Sequence, residues 1–161
     1  MPKLLPYTHH CFVCGKDNPH GMQLRFAADE ESGTVSADFV PRDHHAGYPG
    51  IMHGGAVGAA LDEAMFWGAT FKTRRMHMSV ELSVRYHSKT ITGGAYRLVA
   101  RLDQQRGAMC FTSAELVDDA GVVCASATGR FLPLPAADTA RVLADVCEDP
   151  ATIPLREFSG A

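Results

Sequence analysis

The run Gly47-Tyr-Pro-Gly50-Ile-Met-His53-Gly54-Gly55 leads directly into a stretch of helix formers. A helix start leaves its first backbone N–H groups without intrahelical partners, and the helix dipole adds partial positive charge there. Glycines at that start keep the N–H groups open to an incoming oxygen. A polarised carbonyl or an oxyanion can then be held without a charged side chain. The same glycines also permit a tight turn and close packing, and on spacing alone both roles stand. Further along lie two adjacent acids, Asp62 and Glu63, between Leu61 and the run Ala64-Met-Phe-Trp67. Apolar flanks desolvate a carboxyl and raise its pKa toward the range of a general base. The two acids point about 100° apart around a helix, so one site cannot use both equally. The other is free to reach solvent or to cap a loop.

Geometry limits any joint use of Gly54 and Asp62. Eight helical residues separate them by ~12 Å, whereas attack on a carbonyl carbon needs the reacting atoms ~3–3.5 Å apart. One chain therefore cannot bring both groups to the same carbonyl. Two antiparallel helices can, each setting its Gly54 beside the other's Asp62, and the small residues Ala56, Gly58, Ala59 and Ala60 allow that approach. A two-fold dimer with two identical shared sites is the expectation.

The remaining reactive side chains say less. Cys11 and Cys14, with His9, His10 and His20 nearby, have the types of a zinc site. Two thiols without a second pair make half a knuckle, so the expectation is no metal and a tight turn plugging the end of the helix. Cys110, Cys124 and Cys147 have no evident partner. Lys72, Arg74, Arg75 and Lys89 are cations that could meet phosphates or simply be solvated. The chain carries no Gly-x-Ser-x-Gly elbow, His-Glu-x-x-His pair, Walker loop or dinucleotide glycine fingerprint.

These groups need a scaffold, and periodicity supplies its outline. Residues 1–21 are irregular. Met22, Leu24 and Phe26, then Val35, Ala37 and Phe39, alternate as two short strands around a turn at Glu30 to Gly33. Gly54 to about Phe71 has helix length but no clear polar face, as expected of a helix surrounded by protein. Four strands follow, roughly 78–87, 95–103, 108–118 and 122–134, with Val80, Leu82, Val84 and Tyr86 alternating cleanly. A short amphipathic helix with Val142, Leu143 and Val146 inward and then a loose tail close the chain. The expected class is α+β, an antiparallel sheet curled around one long helix, divided as residues 1–21, 22–134 and 135–161.

Bulk properties fit one domain. The 161 residues are 46% hydrophobic, enough for a substantial core, and the net charge of −3 gives no footprint for nucleic acid. Asp62 and Glu63 interrupt the longest apolar stretch, which excludes a membrane span there. Five cysteines, an odd number scattered along the chain, suit a reducing cytoplasm.

From Cys11 to about Leu134 the chain resembles the hotdog-fold acyl-CoA thioesterases of the phenylacetate-pathway and 4-hydroxybenzoyl-CoA type. The likeness rests on Gly-Tyr-Pro-Gly-x-x-His-Gly-Gly at 47–55 and Leu-Asp-Glu-Ala-Met at 61–65. Ala127-Thr-Gly129-Arg-Phe131 and the Cys-x-x-Cys-Gly-x-x-Asn-Pro-x-Gly run from Cys11 support it. In that family the acid nine residues after the His is general base or nucleophile, which falls on Asp62. The first Gly after the His polarises the thioester carbonyl, which falls on Gly54, and a Ser or Thr early on the next strand positions water, which matches Ser79. Two departures stand out. Gly47 replaces the Asn that certain members carry six residues before the His, and His87-Ser-Lys89-Thr lacks a frequent Pro. The resemblance implies a cytoplasmic acyl-CoA thioesterase with no cofactor, acting as a homodimer that often pairs into a tetramer. The candidate catalytic residues are Asp62, Gly54, His53 and Ser79, and the candidate substrate contacts are Gly54, Gly55 and Lys89. Other possibilities are a hotdog dehydratase or hydratase using His53 with an acid, and a non-catalytic acyl-CoA-binding module.

Overall fold

A computed structural model describes residues 1–159. Its elements in chain order are β1 (Lys3–Leu4), β2 (Ala27–Ala28), β3 (Thr34–Phe39), β4 (Ala46–Tyr48), β5 (Ile51–Met52), α1 (Gly54–Thr73), β6 (His77–Tyr86), β7 (Tyr96–Arg106), β8 (Met109–Asp118), β9 (Val123–Pro133) and α2 (Ala136–Ala144). Seven strands form one antiparallel sheet in the order β1-β2-β3-β7-β8-β9-β6, and β4 and β5 make a separate hairpin. The sheet packs around α1, which touches β3, β6, β7, β8 and β9. This is the hotdog arrangement, the sheet as the bun and α1 as its filling.

Composition explains why α1 sits so deep. Leu61, Ala64 and Met65 are fully buried in one cluster with Leu98, Leu116 and Phe131 of the sheet. Gly68 lets the helix press on β7, since a Cβ there would lie 3.2 Å from the Arg101 carbonyl carbon. The helix stops at Arg74, which takes the left-handed conformation (φ 58°) and donates its N–H to the Thr70 carbonyl. Its guanidinium lies over the Phe71 ring at 4.6 Å, which helps hold it there.

Three features depart from expectation. Met22, Leu24 and Phe26 are buried, but they form no sheet ladder; only Ala27–Ala28 pairs with β3. Gln23 interrupts the extended run at φ 56°, and the N–H groups of Met22 and Leu24 donate to Phe12 and Val13. The apolar alternation therefore reports burial against the N-terminal segment. The tail is also not loose. Ile153 and Phe158 are buried, and Phe158 packs edge-on to Trp67 with ring centroids 5.8 Å apart. Val146 is buried as expected but lies beyond the end of α2, which caps at Asp145. The two ends of the chain meet each other: Ile153 N–H donates to Leu4, Cys147 N–H to Tyr7 and His9 N–H to Asp145.

Candidate active site

Local bonding fixes the start of α1. His53 is its N-cap, in an extended conformation, and its Nδ1 accepts the Gly55 N–H at 2.9 Å. The His53 carbonyl accepts from Ala56 and Val57 at 2.9 and 3.0 Å. Among the described residues no acceptor takes the Gly54 N–H, which is the first donor of the helix. Gly55 therefore has its N–H turned to a side chain, and Gly54 presents the open one. The Tyr86 hydroxyl donates to the Gly54 carbonyl at 2.7 Å and ties this turn to β6. A Cβ at Gly47 would sit 2.9 Å from the His53 Cδ2, so the imidazole packs directly on this glycine.

Around the open N–H lies a cleft of about 780 Å³, lined by Tyr48, Met52, Gly54, Val57, Tyr86 and Lys89 among others. The β4–β5 hairpin forms one wall, held where Met52 N–H donates to the Thr90 carbonyl at 2.8 Å. Lys89 is exposed at this cleft. Lys72 lies in the last turn of α1 and Arg74 and Arg75 just beyond it, at the end far from Gly54.

A second cleft, of about 590 Å³, surrounds the acids and is lined by Cys11, Asp62, Glu63, Trp67, Ser79 and Asp145 among others. Asp62 Oδ1 and Trp67 Nε1 are both buried there without a hydrogen-bond partner among the described residues. Burial pushes the Asp62 carboxyl above the usual carboxylate range, and the neighbouring Ser79 hydroxyl pulls the other way. Glu63 faces the N-terminal segment, its Oε2 3.9 Å from Cys11 Sγ. Burial, then the charge of Cys11, pushes Glu63 up to about 8. Hydrogen bonding from Cys14, then from neighbouring backbone N–H groups, draws the Cys11 thiol down to about 6 and leaves Cys14 the raised partner.

The structure thus gathers Gly54, His53, Gly55 and Lys89 at one end of α1 and Asp62 and Ser79 at another cleft. It does not bring the two sets together within the chain. Between them runs a helix face left at least partly open, formed by Gly55, Ala56, Ala59, Asp62, Glu63 and Phe66 at steps of three and four. β6, at the sheet edge, exposes Met78, Val80, Leu82 and Tyr86. Tyr86 was not among the residues expected at the site. Its place in the alternation after Val80, Leu82 and Val84 was the signal, because that face turns toward α1. Among the described residues no helix is long and apolar enough to cross a membrane.

Comparison with known proteins agrees with this fold. Residues 49–125 match the family model of the thioesterase superfamily. An uncharacterised protein of Schizosaccharomyces pombe is 33% identical over 110 residues, 64% of this chain and 62% of its own. A crystal structure of a thioesterase superfamily protein superimposes with a TM-score of 0.71 at 26% identity, covering 77% of this chain and 60% of the other. The match thus takes in under two thirds of the length of each of these two. A putative thioesterase of Ralstonia eutropha, described as phenylacetic acid degradation-related, gives 0.60 at 26% identity over 69% and 85% of the two chains. A Streptococcus mutans protein solved with acetyl-CoA gives 0.59 at 17% identity over 63% and 82%. The matched segment contains both Gly54 and Asp62, and in that segment and in its hotdog fold this chain is similar to the thioesterase superfamily.

Proposed function

We propose that this protein is an acyl-CoA thioesterase, hydrolysing the thioester of an acyl- or aryl-CoA to a free acid and CoA. The observation that carries the reading is a pair of unclaimed polar groups on one helix. Among the described residues the Gly54 N–H has no acceptor, and the Asp62 Oδ1 has no donor. They are ~12 Å apart along α1, too far for one thioester. A homodimer with antiparallel α1 helices resolves the distance, each site taking Gly54 from one protomer and Asp62 from its partner. The open face at Gly55, Ala56 and Ala59 supports such an approach.

In that site the Gly54 N–H donates to the thioester oxygen and stabilises the charge that gathers there as the carbon becomes tetrahedral. Asp62 takes a proton from water as the water oxygen adds to that carbon, or its carboxylate attacks directly. Collapse breaks the C–S bond and CoA leaves as its thiolate; on the direct route water then hydrolyses the mixed anhydride on Asp62, which frees the acid and restores the carboxylate. Ser79, beside Asp62, holds the water, and His53 keeps the first turn of α1 in the shape that frees Gly54. Met52 and Val57 give the Gly54 cleft an apolar lining beside the carbonyl site, and Lys89 serves the CoA phosphates. The chemistry needs no cofactor. The acetyl-CoA seen in the Streptococcus mutans protein supports CoA as the recognised group, and five free thiols support a cytoplasmic setting. The test is release of free thiol from a panel of short, long and aryl acyl-CoAs. Release by the wild type that Asp62→Asn abolishes is expected; no release from any of them by folded dimer would overturn the reading.

A further inference from the structure

The fold adds a ligand that the sequence alone did not supply to the Cys11/Cys14 pair. Glu63 reaches the two thiols from α1, and its carboxylate oxygen, Cys11 Sγ and Cys14 Sγ all lie within 4.8 Å of one another. We propose that Cys11, Cys14 and Glu63 together bind one zinc ion, which fastens the N-terminal turn to α1. A tetrahedron with Zn–S bonds of ~2.3 Å and a Zn–O bond of ~2.0 Å has edges of about 3.5–3.8 Å. The Cys11–Glu63 separation of 3.9 Å is close to that edge before any ion draws the ligands in.

The turn is already shaped for thiolates. The Val13 and Cys14 N–H groups point at Cys11 Sγ, at 3.2 and 3.5 Å. Thr8 accepts the Cys11 N–H at 3.1 Å and lies 3.7 Å from Cys14 Sγ. Such outer bonds orient metal ligands and offset the charge of bound thiolates. Gly15 closes the turn through its N–H to the Cys11 carbonyl, and a Cβ there would collide with that carbonyl oxygen at 2.3 Å. Two sulfurs with one carboxylate suit zinc better than the hard cations, which prefer all-oxygen sites. The fourth position opens on the Asp62 cleft, where water fills it. Binding releases the thiol protons to solvent. Because Glu63 adjoins Asp62, the ion also steadies the helical turn that carries the proposed base. The hydrolysis proposed above does not pass through it, so either proposal can fail alone.

The test is metal content and spectroscopy on reduced protein, stripped with a chelator and then dialysed against zinc or cobalt. Wild type should retain one ion per chain, and the cobalt form should show thiolate-to-metal charge transfer with the strong visible bands of a tetrahedral site. Cys11→Ser and the near-isosteric Glu63→Gln should each weaken binding at least ~10-fold, while Cys124→Ser, outside the cluster, should not. Zinc should raise the Tm of wild type and not of Cys11→Ser. Reduced, folded wild type that holds no zinc would overturn the proposal. So would an ion retained undiminished in Glu63→Gln, which would remove the third ligand.

Discussion

Asp62 and Glu63 are adjacent in the chain, yet the turn of the helix sends one to an open cleft and the other against two thiols. That difference decides their chemistry. Asp62→Asn should lower kcat at least ~100-fold with folding and CoA binding retained, because it removes the proposed general base in a near-isosteric change. Glu63→Gln should cost far less in kcat, and the reverse order in steady-state assays would move the base to Glu63. Two buried histidines make a separate statement about stability. His45 accepts the Arg42 N–H on Nδ1, as only a neutral ring can, and His77 donates from Nδ1 to the Arg75 carbonyl at 2.7 Å with its Nε2 against the buried Cys110 Sγ at 3.5 Å. Burial holds both below the ordinary imidazole value of 6.5. The unfolded chain therefore takes up protons more readily than the folded one. Their contribution is intact above 6.5 and is lost as pH falls below it. The urea midpoint should fall over that range, and His45→Gln should flatten the fall; a midpoint just as steep in that variant would remove His45 from the account.

At the scale of elements, α1 and the strands beneath it depend on small residues where backbones touch. Gly68→Val should destabilise by about 1–3 kcal/mol through overpacking against the rigid Arg101 backbone, measured by denaturant titration. An equal Tm would mean β7 can yield there. Much of this architecture was legible beforehand because it is periodic. Val80, Leu82, Val84 and Tyr86 announced β6, and the apolar run from Gly54 announced a buried helix. What stayed hidden depends on contacts between distant segments. Phe158 lies in a stretch too short and mixed to show a period, and only the meeting of the two chain ends puts it against Trp67. Met22, Leu24 and Phe26 carried the right burial and the wrong pairing, since one left-handed residue, Gln23, redirects the ladder. At the site, Gly54 was marked by its place at an open helix start and Asp62 by its apolar flanks, and the family resemblance singled out each of them. The third partner of Cys11 and Cys14 was not, because 52 residues separate Glu63 from Cys11 and no local pattern links them.

At the scale of the whole molecule, the proposed dimer joins the two clefts into one site. Gly54→Pro removes the open N–H, and the extended His53 before it tolerates a following proline. A Cβ at Gly54 would come within 3.3 Å of the Tyr86 hydroxyl, so Gly54→Ala, which keeps the N–H, is the control for that contact. Gly54→Pro and Asp62→Asn should each be nearly inactive alone. Refolded together, their heterodimers contain one site with both wild-type groups, and activity should return to roughly a quarter of wild type under random pairing. Demonstrated heterodimers without recovery would place the reaction within single chains.

Trp67 is the chain's one tryptophan. It is buried against Phe66 and Phe158, and it lines the same cleft as Asp62. The intrinsic fluorescence of this protein is therefore not an average over many surroundings but a signal from one address. Its emission reports, without any label, whether the tail is docked, whether the Asp62 cleft is filled and whether the turn carrying Glu63 has moved. A dye placed by design could hardly be closer to the proposed base.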